Sequence, residues 1–155
     1  MEPSLSRSAE AELAAVRLRR AELRETLSVL EHTLAAPASG REVVWGEAVH
    51  DALITVVGDF GAHVEVTEGP GGLHQTITSA DLRLANAVHA LAAEHGSIAE
   101  EIAALVADSE PPVIAADVDG LRERGVRLLA QLLRHRQRGA DLIYEAFQTD
   151  IGGVD

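Results

Sequence analysis

Three stretches of this chain place a histidine among apolar residues at helical spacing: "DFGAHVEV" carries His63, "LAAEHGSI" carries His95 and "LLRHRQRG" carries His135. Each interrupts a stripe whose other members are mostly leucine, isoleucine, valine or phenylalanine, so each should face a core. A buried imidazole must find a hydrogen-bond partner or a metal, because an unpaired polar group in a core costs about 1–3 kcal/mol. Imidazole is the commonest metal ligand among side chains, and facing helices of a bundle are a standard place for a metal site. Asp59, one turn before His63, either joins a metal from the same helix or orients the imidazole. Any metal here is therefore expected on His63, His95 and His135, with water or Asp59 completing the shell. Ligand nitrogens sit ~2.0–2.2 Å from an ion, so the three must converge to within about 4 Å of one another.

The elements that would bring them together are four helical segments separated by breakers. They cover about 6–35, 42–68 or beyond, 80–107 and 119–148. "AAPASG", "EGPGG" and "SEPP" fall between them, and "DIGGVD" closes the chain. Thr78, Ser79 and Asp81 are capping candidates for the third. The β-branched "LITVV" sits inside a helical period and does not read as a strand.

Each segment carries one stripe of alternating three- and four-residue steps, the pattern of a helix face packed in a bundle. The first runs Leu13, Val16, Arg20, Leu23, Leu27, Leu30, Leu34, and the second runs Val49, Leu53, Val56, Phe60, His63, Thr67. One polar residue breaks into each stripe: Arg20 in the first segment and the three histidines in the others. The pattern predicts an all-α protein, a single antiparallel up-down-up-down four-helix bundle over residues 1–155.

Height decides whether the histidines meet. His63 and His95 have their midpoint at Ser79, and are level if the second helix resumes beyond Pro70 through "LHQTI". His95 and His135 have theirs at Ala115, and are level if the last connection is centred there. An error of five residues displaces a ligand by ~7–8 Å along a helix axis.

Composition narrows the function classes. A length of 155 residues suits one domain with a sizeable core. The net charge of −12, from 13 basic and 25 acidic residues, repels nucleic-acid phosphates and anionic membranes. Aromatics are only 3%, too few for base stacking. There is no cysteine, which removes disulfide and thiolate chemistry. No secretory h-region opens the chain and no apolar run reaches membrane-spanning length, so a cytoplasmic protein is expected. No P-loop, dinucleotide fingerprint or Ser-His-Asp arrangement is present, and "GPGG" lacks the lysine and preceding strand of a phosphate loop. Of the other histidines, His50 should line a flank, His32 and His89 face solvent or an interface, and His74 lie in a loop. Trp45 should be core or an interface anchor. "RHRQR" (134–138) should be a solvated basic face.

Several of these stretches resemble one family. "DFGAHVEVTEGPGGLHQTI" is similar to the second helix of the hemerythrin, or HHE cation-binding, family. "LAAEHGSIAEEIAAL" is similar to its third and "LLRHRQRGADLIYEAF" to its fourth, the likeness covering about 100 residues. The resemblance implies a four-helix bundle with a di-iron centre, held by histidines and bridging carboxylates, that binds or senses dioxygen or related small oxidants, and favours binding over catalytic turnover. In this chain the family's carboxylate positions after the second- and fourth-helix histidines are Thr67 and Gly139, and Arg20 stands nearest its first-helix histidine. The residues leave two alternatives: a metal-free module that regulates or docks on a protein partner or a second copy, and a haem site using the same histidines with Gly58, Gly61, Gly96 and Gly139 as small neighbours.

Overall fold

The computed structural model describes residues 6–148 and is helical throughout, with no strand among the described residues. Four long helices, α1 (Arg7–Ala35), α2 (Glu42–Glu68), α4 (Ala85–Asp108) and α5 (Ala115–Phe147), form a helical bundle, and a short α3 (Leu73–Ala80) lies between the second and third of them. The "DIGGVD" close lies outside the described residues. No described helix is long and apolar enough to cross a membrane.

The boundaries follow local chemistry. Ser6 caps α1 by accepting the backbone N–H of Ala9 through its hydroxyl. The second helix does not run on through "LHQTI". It stops at Glu68, because Pro70 cannot continue the ladder and two glycines turn the chain. Gly71 has a φ of +71°, and a Cβ on Gly72 would stand 2.7 Å from the carbonyl oxygen of Thr67. After that turn Leu73, His74 and Ile77 bury one face of α3, and Thr76 Oγ1 donates to Glu12 of α1 at 2.5 Å. A 3-10 turn over Leu82–Leu84, capped by Asp81, leads into α4. The third long helix therefore starts five residues later than its pattern suggests. α5 starts four residues earlier, the extra turn burying Val118.

Around the bundle α1 packs on α2 and α5, α2 on α4, and α4 on α5. Cross-helix bonds fix the heights: Thr26 with Asp59, His50 with Ser109, Glu94 with His135, Arg124 with Asp108, and Arg122 with the carbonyls of Leu34 and Ala36. Close approach needs glycine in one connection. A Cβ on Gly46 of α2 would lie 2.4 Å from the buried Val113 side chain that closes the α4–α5 link.

The apolar core comes in two pieces. The larger holds Leu23, Leu30, Trp45, Val56, Phe60, Ile98, Leu121 and Leu132 among others; the smaller holds Leu13, Val16, Leu73, Ile77, Leu91, Leu142 and Ile143 among others. Along α1 the change from one cluster to the other falls at Arg20, along α4 at His95 and along α5 at His135. On α2 the larger cluster ends at Phe60, just before His63. The residues that break the stripes in sequence thus form one polar layer across the bundle.

Candidate metal centre

Within that layer His63, His95 and His135 come together. One ring nitrogen from each lies within 4.8 Å of the other two, and the residues are only 7%, 3% and 5% exposed. Ring centroids are separated by 5.1 Å for His63–His95, 5.7 Å for His63–His135 and 4.7 Å for His95–His135. The Nε2 atoms of His63 and His95 are 3.2 Å apart.

Two carboxylates fix the rings from outside. His95 Nδ1 donates to Glu68 Oε2 at 2.6 Å, and His135 Nδ1 donates to Glu94 Oε2 at 2.6 Å. A carboxylate accepts only, so each bond puts the proton on Nδ1 and leaves an Nε2 lone pair. Glu94 is itself held by Arg138 Nε at 2.5 Å. It sits next to His95 in sequence, yet serves His135, because successive residues on a helix point about 100° apart. Glu68, one residue past the position that would follow His63 by a full turn, reaches across to α4 instead.

Phe60 stacks beside His63 at 6.0 Å and presents its edge to His95 at 5.8 Å. His74, expected in a loop, is instead buried in the first turn of α3, its ring parallel to that of His95 at 5.7 Å. The Nδ1 atoms of His63 and His74 are buried without a hydrogen-bond partner. Burial, then the charges of His95, His135 and Arg20, hold His63 down to about 3; burial, then His95, holds His74 down to about 4. His135 is also lowered, mainly by burial. These imidazoles are neutral at neutral pH, the form that ligates metals.

Asp59 does not join the three. Its carboxylate accepts a hydrogen bond from Thr26 of α1, and it pins α1 to α2 one turn away from the ring nitrogens. Thr67 and Gly139, at the two positions where the resemblance expects carboxylates, supply none. The Thr67 hydroxyl donates to the carbonyl of His63 in its own helix, and a Cβ on Gly139 would meet only Arg20 Nη1, at 3.7 Å. Arg20 also donates to the carbonyl of Arg136 at 3.3 Å, so the α1 arginine crosses to α5 where Gly139 leaves space.

The remaining histidines are apart from the layer. His50 bonds to the fully buried Ser109, His32 to the carbonyl of Ser28, and His89 is exposed. Trp45 is core, with the Arg122 guanidinium 5.2 Å from its ring centroid. The basic "RHRQR" face is not simply solvated, since Arg138 holds Glu94.

Beside the histidines lies a cavity of about 480 Å³ between α1 and α5, lined by His63, His74, His95 and His135 together with Arg20 and many apolar side chains. No protein-family model matches the chain, and neither does any curated protein or solved structure.

Proposed function

We propose that this chain binds one divalent transition-metal ion through His63, His95 and His135, and uses it to bind or sense a small ligand admitted from the cavity. The observation that carries the proposal is the convergence of three buried imidazole nitrogens, two of them backed by carboxylates on the far ring nitrogen. Carboxylate–histidine pairs of this kind orient metal ligands and raise their basicity. The Nδ1 of His63, buried without a partner, adds to the case, since a ring that turned to bind an ion could use it.

Three neutral nitrogen donors without thiolate suit zinc, copper, nickel, cobalt or iron(II), and are poor ligands for calcium or magnesium. We assign iron as the occupant for a role in binding dioxygen or related oxidants, the role the hemerythrin-like stretches imply. The site would be mononuclear, because among the described residues the only group placed to hold a metal is the three histidines. When bound, the metal would supply Lewis acidity and open coordination positions. Glu68 and Glu94 would hold two of the rings, Phe60 and the two apolar clusters would keep bulk water out, and the cavity would give access. The four long helices running alternately up and down fit the cross-helix bonds, which pair the end of α1 with the start of α5 and the start of α2 with the end of α4. Haem fits poorly, since a macrocycle cannot stand between two nitrogens already in contact at 3.2 Å.

The test is metal content and absorption of the protein purified without chelator, beside His135→Leu. The expected result is one equivalent of metal in the parent and none in the variant. Metal-free parent protein that takes up no iron, cobalt or zinc on titration overturns the proposal, as does an unchanged metal content in His135→Leu.

A further inference from the structure

Among the described residues, four histidines line the cavity; three are the converging group, and His74 is the fourth. His74 is only 9% exposed. The fully buried Leu73 and Ile77 of α3, and the hydrogen bond from Thr76 to Glu12 of α1, hold it in place. Its ring lies parallel to that of His95 at 5.7 Å. Stacking accounts for the ring but not for its nitrogens. Nδ1 is sealed in with no hydrogen-bond partner, a defect that costs about 1–3 kcal/mol.

The seal on Nδ1 leaves the other edge of the ring, which carries Nε2, to meet the cavity. A neutral imidazole has one N–H and one lone pair. An orphaned buried N–H is rarer than an under-used buried acceptor, so the lone pair belongs on Nδ1 and the proton on Nε2. His74 thus offers the cavity a donor. That donor stands beside the plane of His95, in which an ion on His95 would lie. A bond from ion to ligand of ~2.0–2.2 Å and a hydrogen bond of ~2.9 Å together span ~5 Å, the scale of the step between the two rings.

Resting on the metal reading above, we infer that His74 selects the ligand of the centre: its Nε2–H donates to a ligand that carries an acceptor atom next to the atom bound to the metal. The ligand class is therefore one with two adjacent lone-pair atoms, the first for the metal and the second for His74.

Pyridazine and pyridine test this. Both are flat, uncharged six-membered rings that bind a metal through a ring nitrogen. Pyridazine has a second nitrogen lone pair beside the first, where pyridine has a C–H. The cavity, at about 480 Å³, has room for either. Cobalt(II) stoichiometry is measured first. Both ligands are then titrated against the visible bands of the cobalt, in the parent and in His74→Phe, which keeps a ring and removes the donor. The expected result is a pyridazine-to-pyridine affinity ratio about fivefold lower in His74→Phe than in the parent, the worth of one neutral hydrogen bond. His74→Leu takes its place if His74→Phe does not fold. His74→Gln, which keeps an N–H donor on a side chain of similar reach, should retain most of the parent ratio. A chain that takes up no cobalt overturns the metal reading and this one with it. Full cobalt uptake with no pyridazine response, a parent ratio in His74→Phe, or a ratio lost equally in His74→Gln overturns only the role of His74.

Discussion

The Nε2 atoms of His63 and His95 lie 3.2 Å apart although 32 positions separate the two residues in sequence. With the His95 proton drawn to Nδ1 by Glu68, the shared contact holds one proton, contributed by His63. A cation entering there would replace that proton and free it to move to His63 Nδ1, the atom now left without a partner.

The three ligand histidines should respond differently to leucine in the metal-free protein. His63→Leu removes a buried ring whose Nδ1 is unsatisfied but also takes the donor from His95 Nε2, two effects that oppose each other and should leave stability within about 1 kcal/mol of the parent. His95→Leu strips Glu68 of its partner and should lower stability by about 1–2 kcal/mol. Urea unfolding with chelator present measures both; equal losses for the two variants would contradict the assignment of hydrogen bonds. With metal, each variant should fail to bind.

Glu68→Gln and Glu94→Gln should fold and still bind metal, about 10–100-fold more weakly, because the imidazoles keep at most a neutral acceptor in place of the charged one that fixes their tautomer and raises their basicity. Competition with a chromophoric chelator reads the affinity. Glu65→Gln, on the same helix but outside the histidine layer, serves as the control. If Glu68→Gln binds as tightly as the control, Glu68 has no part in positioning His95.

Acid should destabilise the metal-free protein earlier than its carboxylates alone would require. His63 and His74 take up protons near 3 and 4 when folded, against 6.5 when unfolded. Below pH 6.5 the unfolded chain binds more protons, so stability is complete above that pH and falls as the pH drops toward 4, by up to about 1.4 kcal/mol per pH unit for each histidine. His74→Leu should make the fall shallower over that window. Unfolding midpoints at pH 7.5, 6, 5 and 4.5 check this; an unchanged slope in the variant would remove His74 from the account.

Gly46→Ala should cost about 1–3 kcal/mol by overpacking, because its methyl meets Val113 at 2.4 Å. Adding Val113→Ala should recover part of the loss. Additive losses in the double variant, measured by thermal or urea unfolding, would show that the two side chains do not meet.

The inward face of each helix was legible because it depends only on three- and four-residue spacing: every stripe histidine is buried. Height was harder, since it depends on connections. Thirteen residues of α4 follow His95 while twenty of α5 precede His135, so the midpoint argument is off by several residues. The link through 109–114, with Val113 tucked against Gly46, makes up the difference. His74 was missed because the "EGPGG" breaker hid a helix of eight residues, although Leu73, His74 and Ile77 carry a helical spacing of their own. Glu68 and Glu94 were missed as partners of His95 and His135 because each crosses to another helix, and a pairing of that kind leaves no periodic trace in one sequence.

The polar layer also bears on how the molecule comes apart. Neither apolar cluster continues across it, so the end holding α3, the first turns of α1 and the last turns of α5 has its own small core and can open while the Trp45 end stays packed. Amide hydrogens of Val49 to Val56 should then exchange only through global unfolding, and those of Ile77 and Leu142 through a cheaper partial opening. A metal ion bound by α2, α4 and α5 would clamp the two ends into a single cooperative unit, so that its arrival could be followed in exchange rates far from any ligand.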